Sequence, residues 1–167
     1  MELELDLAGL LRSLDRHRVA YVMIGGLAAV IHGSPFPTQD LDITPATGPD
    51  NLARLSTALT DLDTKIRAEG VPDGLPIAHD AESLAAVQTW NLTTKYGDLD
   101  ISFVPSGTQG FGDLNESAEP VDLYGVAVRV ASLADVIRSK QAANRPKDQR
   151  VLPTLRELLA RRPKGKS

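Results

Sequence analysis

The sequence predicts an α+β fold: a twisted, mixed β-sheet flanked by helices, with a helical pair at its C-terminal end. Three observations carry this. Strand-like and helix-like stretches follow one another as α-β-α-β-α-β-β-β-β-α-α, an order that neither alternates strictly nor segregates. The run Val19-Ala20-Tyr21-Val22-Met23-Ile24 is apolar throughout, as in a strand covered on both faces. The length of 167 residues, with 42 % hydrophobic and 24 % charged side chains, suits one packed domain over 1–167, its core at about 19–130 and its C-terminal helices at about 132–162.

Taken in order, Leu7, Leu10, Leu11 and Leu14 recur at helical spacing and predict a helix over about 4–16. The apolar strand at 19–24 ends at Gly25-Gly26, and Leu27 to Ile31 read as a short helix stopped by Gly33 and Ser34-Pro35-Phe36-Pro37. Asp40 to Thr44 form a second strand. Asp50 is a suitable N-cap for a helix whose Leu52, Leu55, Leu59, Leu62 and Ile66 step by three and four. The glycines and prolines of 70–80 predict a loop. Val87 to Thr94 and Asp98 to Val104 predict a hairpin around Lys95-Tyr96-Gly97, and 105–119 a long surface loop. Two short strands, Val121 to Tyr124 and Val126 to Val130, come next. Ser132 and Asp135 resemble a capping box that opens a helix to about Ala143, and Pro146 starts a last helix that Pro153 should kink or restart.

Composition excludes several classes of function. Without cysteine there is no disulfide, thiolate nucleophile or zinc-thiolate site, and three scattered histidines make no metal motif. No apolar run is long enough to span a membrane, and the acidic start MELELDLAGL is unlike a signal peptide, so a cytoplasmic protein is expected. The net charge of −4 conceals an asymmetry: residues 1–137 hold 8 basic and 20 acidic side chains, residues 138–167 hold 10 and 2. A polyanionic partner would explain the cationic strip, and so would a solvated terminal helix.

The chemistry-bearing residues are acids. Side chains alternate along a strand, so Asp40 and Asp42 share a face, about 7 Å apart, with Leu41 and Ile43 on the other. Asp98 and Asp100 repeat the pattern with Leu99 and Ile101. If the two strands are neighbours, three or four carboxylates converge and call for a counterion. An oxygen-only cluster selects a hard cation such as Mg²⁺, which keeps room for water and phosphate. Acids on a solvated sheet face are the plainer alternative. Gly25-Gly26, between a strand and a helix start, would let a phosphate approach the backbone. Neither a P-loop nor a dinucleotide fingerprint is present.

Gly25-Gly26, 13 further residues, Asp40-Leu41-Asp42 and a later strand bearing Asp100 together resemble the DNA polymerase β-like nucleotidyltransferase superfamily. Within it the stretch SLADVIRSKQAANRPKDQRVL looks most like the ending of AbiEii and MenT-like toxin nucleotidyltransferases. The likeness covers about 19–160 and implies the nucleotidyltransferase fold. It further implies that Gly25 and Gly26 hold a triphosphate, that Asp40, Asp42 and Asp100 bind two Mg²⁺ ions, and that Asp100 helps to activate the acceptor hydroxyl. Lys140 and Asp148 match the later lysine and aspartate of the toxins. The implied reaction moves a nucleoside monophosphate from an NTP to an acceptor, a tRNA 3′ end ahead of a protein hydroxyl, in a toxin that would have a cognate antitoxin.

Lys140 stands at i+7 from Leu133, i+4 from Val136 and i+3 from Ile137, on the apolar side of its helix, and needs a partner: a phosphate, an aspartate, or water reached past the helix edge. Arg145 and Lys147 would steer phosphates or stand as solvated surface cations, and Asp148 is either a further substrate-binding residue or an acid that suits a first helical turn for the dipole alone. His32 and His79 read as structural or solvated, and Trp90 as core. The competing function is a nucleotidyltransferase-like module that binds nucleotide, RNA or a protein without turnover. Its support is the absence of an arginine that is common before the acidic strand, where Pro35-Phe36-Pro37 stand instead, and of a second acid usual in the last helix, where Val151-Leu152-Pro153 stand.

Overall fold

The computed structural model describes residues 5–162. The elements are α1 (Leu7–Arg16), β1 (Tyr21–Ile24), α2 (Gly25–Ile31), β2 (Asp40–Pro45), α3 (Pro49–Asp61), β3 (Lys65–Ala68), β4 (Val71–Pro76), α4 (Ala81–Ala85), β5 (Thr89–Thr94), β6 (Gly97–Ser102), α5 (Phe111–Ser117), β7 (Glu119–Leu123), β8 (Val126–Val130), α6 (Leu133–Ala143) and α7 (Pro146–Ala160). The strands form one sheet in the order β4-β3-β5-β6-β2-β1-β8-β7. The pairs β2–β6 and β1–β8 are parallel and the others antiparallel, so the expected mixed sheet is present.

One face of the central strands is fully apolar. Met23, Leu41, Ile43, Leu92, Leu99 and Ile101 are all sealed from solvent and join the buried leucines of α1 and α3 in one core. The opposite face carries Asp40, Asp42, Asp98 and Asp100 in the centre of the sheet. The alternation of D-L-D-I, written twice, sorts the two faces in both strands. The helices α6 and α7 pack on each other, and α6 also packs on α2.

Several expectations are corrected. The loop expected at 70–80 is largely strand: β3 and β4 make a hairpin in which Gly70 adopts φ +79°. Ile66, expected to end the third helix, belongs to β3, because α3 stops at Asp61 and Asp63 turns the chain at φ +51°. Pro72 and Pro76 masked the strand, and they are tolerated because β4 lies at the sheet edge, where a missing donor breaks no internal ladder. The segment 105–119 is not all loop, since it contains α5 and the first residue of β7. Short α4, closed by reciprocal bonds between Asp80 and Ser83, precedes β5, which begins at Thr89 and not at Val87. Gly25-Gly26 do not follow the strand as a separate turn but are the first residues of α2. Gly48 is the N-cap of α3, with Asp50 inside its first turn. Only half of the box at Ser132 is made: its side chain accepts the Asp135 N–H. Helix α7 passes through Pro153 without interruption. The first residue of the expected N-terminal helix and the final lysines of the cationic strip lie outside the described residues.

Candidate active site

Strands β2 and β6 lie side by side and in register, Asp40 opposite Asp98 and Asp42 opposite Asp100. Directly opposed residues of adjacent strands share a face, so the acids form a block. The Asp42 carboxyl is within hydrogen-bonding reach of Asp100 and is pushed up to about 7, first by burial and then by the charges of Asp100 and Asp40. Burial also raises Asp100, and its ion pair with Arg67 works against that rise.

Gly25 opens α2 immediately beside this block. It adopts φ +70°, and a Cβ added there would lie 2.3 Å from Asp42 Oδ2. Left-handed backbone and close approach to the carboxylate therefore both demand glycine. At Gly26 a Cβ would meet Thr38 Oγ1 at 2.9 Å. Both glycines, Asp40, Asp42 and Asp100 line a cleft of about 650 Å³, a volume within the range of small-molecule sites.

The facing wall comes from α6 and the start of α7, which contribute Lys140, Arg145 and Lys147. The sequence expectation that Lys140 needs a partner is answered by Asp148, whose Oδ1 is 3.7 Å from Lys140 Nζ. Burial lowers the Lys140 ammonium, with Asp148 acting in the opposite sense. The Asp148 side chain is 0 % exposed. It accepts hydrogen bonds from Arg145 N–H at 3.1 Å and Arg145 Nε at 2.7 Å. Burial alone would raise the Asp148 carboxyl, but the Arg145 hydrogen bonds outweigh it and hold it low. Asp148 thus faces the cations of the wall, while Lys140 and Arg145 face the cleft.

Other residues singled out in the sequence lie elsewhere. His32 Nε2 donates to the Ala131 carbonyl at 2.7 Å, and His79 Nδ1 is 2.7 Å from Ser56 Oγ; neither lines the cleft. Trp90 packs against the core and donates from Nε1 to the Leu84 carbonyl. The sequence reading missed Arg67, which reaches Asp100 Oδ1 at 2.7 Å and Asp98 Oδ2 at 3.3 Å. It also missed Thr89, Asn91 and Ser102, which extend the cleft floor past Asp100. Only strand alternation continued through the β5–β6 hairpin would have pointed to these three.

The donors fit a hard divalent cation: every one is a carboxylate oxygen, and the Asp42 carboxyl is pushed up by burial and then by the charges of Asp100 and Asp40, which a bound cation would offset. Among the described residues no group of three or more acidic, histidine or cysteine side chains is arranged so that it could hold a metal ion by itself. Ligand oxygens from a substrate would complete the set, as Mg²⁺ sites commonly require.

No protein-family model and no curated protein matches the chain. Solved structures do. The lincosamide antibiotic adenylyltransferase LnuA, lincomycin-bound, superposes with a TM-score of 0.61 at 14 % identity, covering 94 % of this chain and 99 % of that one. A candidate nucleotidyltransferase of Thermotoga maritima gives 0.53 at 18 % identity, covering 93 % and 91 %. The antibiotic-resistance factor ANT(2'')-Ia gives 0.52 at 15 %, covering 90 % and 85 %. At these identities the likeness speaks for architecture, and the architecture is that of the nucleotidyltransferase fold.

Proposed function

We propose that the chain transfers a nucleoside monophosphate from an NTP to an acceptor hydroxyl. The observation that carries this reading is the in-register parallel pairing of β2 and β6, which gathers Asp40, Asp42 and Asp100 beside Gly25-Gly26 and across from Lys140. Gly25 and Gly26 line the cleft beside the acids, where a triphosphate would lie, and Lys140 and Arg145 offer cations to it. Asp40, Asp42 and Asp100 would hold Mg²⁺, which when bound offsets negative charge on the phosphates and makes a coordinated hydroxyl more acidic. The acceptor oxygen forms its bond to the α-phosphorus, the bond from that phosphorus to the β-bridging oxygen breaks, and pyrophosphate leaves. Asp100 takes the proton of the attacking hydroxyl.

For the acceptor, the sequence likeness to toxin nucleotidyltransferases and the cationic wall support a tRNA 3′ end, with the chain as the toxin of a toxin–antitoxin pair. A second reading has its own observation: the floor beyond Asp100 is neutral and hydroxyl-rich, with Thr89, Asn91 and Ser102, which suits a small polyhydroxylated acceptor. One of the similar structures is of a lincosamide antibiotic adenylyltransferase with lincomycin bound, and another is of ANT(2'')-Ia in complex with adenylyl-2''-tobramycin.

The test supplies each labelled NTP and Mg²⁺ with total tRNA, with lysate protein and with a panel of hydroxylated small molecules. Label is expected in one acceptor pool with stoichiometric pyrophosphate, and Asp42→Asn or Asp100→Asn should lower the rate by at least about 100-fold. NTP binding without pyrophosphate release in any pool would instead establish the non-catalytic module.

A further inference from the structure

We propose that Arg67 is a positioning residue for Asp100, clamping one oxygen of that carboxylate so that the other alone faces the cleft. This rests on the nucleotidyl-transfer reading for its kinetic consequence, though not for its geometry. Arg67 lies on β3, and β5 separates it from β6 in the sheet. Register places Asn91 of β5 opposite Asp100, so the arginine reaches across a whole strand to its target.

Each guanidinium nitrogen involved has a defined acceptor. Nη2 donates to Asp100 Oδ1 at 2.7 Å. Nη1 lies 3.3 Å from Asp98 Oδ2 and donates to the Leu92 carbonyl at 3.2 Å. A planar fork tied to the backbone of β5 and to two carboxylates of β6 has little rotational freedom left. Asp98 therefore has a place in this arrangement: absent from the cleft lining, it anchors the arginine that holds Asp100. The side chain of Arg67 is 35 % exposed and that of Asp100 19 %, and Asp100 lines the cleft whereas Arg67 does not, so the arginine grips the carboxylate from outside and leaves its approach to Asp42 and the cleft.

The clamp has two effects of opposite sign. Fixing the carboxylate favours reaction, because misplacing a catalytic group costs rate steeply. A positive charge beside the acid block opposes any cation bound there. Loss of Arg67 should therefore slow transfer yet tighten divalent binding, a combination that general damage to the fold does not produce.

The experiment compares wild type with Arg67→Gln and Arg67→Lys by steady-state kinetics and by Mn²⁺ binding without turnover. For Arg67→Gln we expect kcat to fall about 10- to 100-fold, KM for NTP to stay within about twofold, and Mn²⁺ to bind about 3- to 10-fold tighter. Arg67→Lys keeps the charge but not the fork, so kcat should be intermediate and Mn²⁺ affinity that of wild type. Unchanged kcat in Arg67→Gln, or Mn²⁺ affinity that is unchanged or falls with it, overturns the clamp. If Arg67→Gln does not fold, Arg67→Lys decides, and full kcat there overturns it. If the wild type transfers nucleotide to no acceptor, the functional reading fails separately; tighter Mn²⁺ binding by Arg67→Gln with wild-type affinity in Arg67→Lys would still uphold the Arg67–Asp100 pairing on which the clamp rests, and unchanged or weaker binding by Arg67→Gln would overturn it.

Discussion

At the scale of single residues, the site depends on side chains that are missing as much as on those present. Gly25 combines φ +70° with a Cβ position 2.3 Å from Asp42 Oδ2, whereas Gly125 has φ +83° with nothing within 4 Å. The pair separates backbone strain from collision. We expect Gly125→Ala to cost about 1 kcal/mol by urea denaturation, the conformational part alone. Gly25→Ala should cost about 2–4 kcal/mol, because Asp42 or the start of α2 must shift as well; equal costs would show that Asp42 moves aside freely. Gly25-Gly26 and the Asp40, Asp42 and Asp100 carboxylates were legible in the sequence, because a G-G pair and a repeated D-x-D carry local signatures. Arg67 was not. Its partners are 31 and 33 positions away, and no local pattern marks a residue whose role is set by a strand two places along the sheet.

At the scale of elements, legibility followed length and periodicity. Helices α1, α3 and α6 announce themselves by leucine and valine spacing, and β1, β2 and β6 by apolar or alternating runs. The β3–β4 hairpin was hidden because proline and glycine, which usually signal loops, are compatible with an edge strand. Helix α5 spans Phe111–Ser117, too few residues to establish a period. Helix α7 carries the wall of the cleft, and its first turn is fixed by Asp148, which accepts the Arg145 N–H and pairs with Lys140. A carboxyl held below its ordinary value in the folded chain stabilises it above the unfolded pKa, and that contribution is lost as pH falls through the folded value. Asparagine at this position has no proton to take up. Chemical denaturation followed from about pH 7 down to about pH 3 should therefore give a shallower acid loss for Asp148→Asn than for wild type, with Asp148→Asn about 2 kcal/mol less stable at the neutral end. Parallel curves would mean that Asp148 contributes nothing to the acid dependence.

For the whole molecule, the decisive fact is which strands are neighbours. The sequence contained two D-L-D-I segments but nothing that placed β6 beside β2, since 51 residues of intervening chain, including a hairpin and two helices, separate Pro45 from Gly97 only in sequence. Once paired, the sheet contributes acids and the α6–α7 pair contributes cations, so a ligand of mixed charge, a metal–triphosphate, would tie the two layers together. Such a ligand binds the folded chain alone and stabilises it by mass action, about 2.7 kcal/mol at a hundredfold excess over Kd. For a chain of this size that corresponds to roughly 5–10 °C in Tm. We expect Mg²⁺ and NTP together to raise Tm by this amount and by more than the sum of either alone, because each supplies the charge that the other needs in the cleft. Chelation should reverse the shift. Asp42→Asn should abolish the cooperative part while retaining some response to NTP alone through Lys140 and Arg145, and Lys140→Ala should do the converse for the metal. Strictly additive shifts would show that acids and cations serve separate sites, and that the cleft between sheet and helices is not a single binding unit.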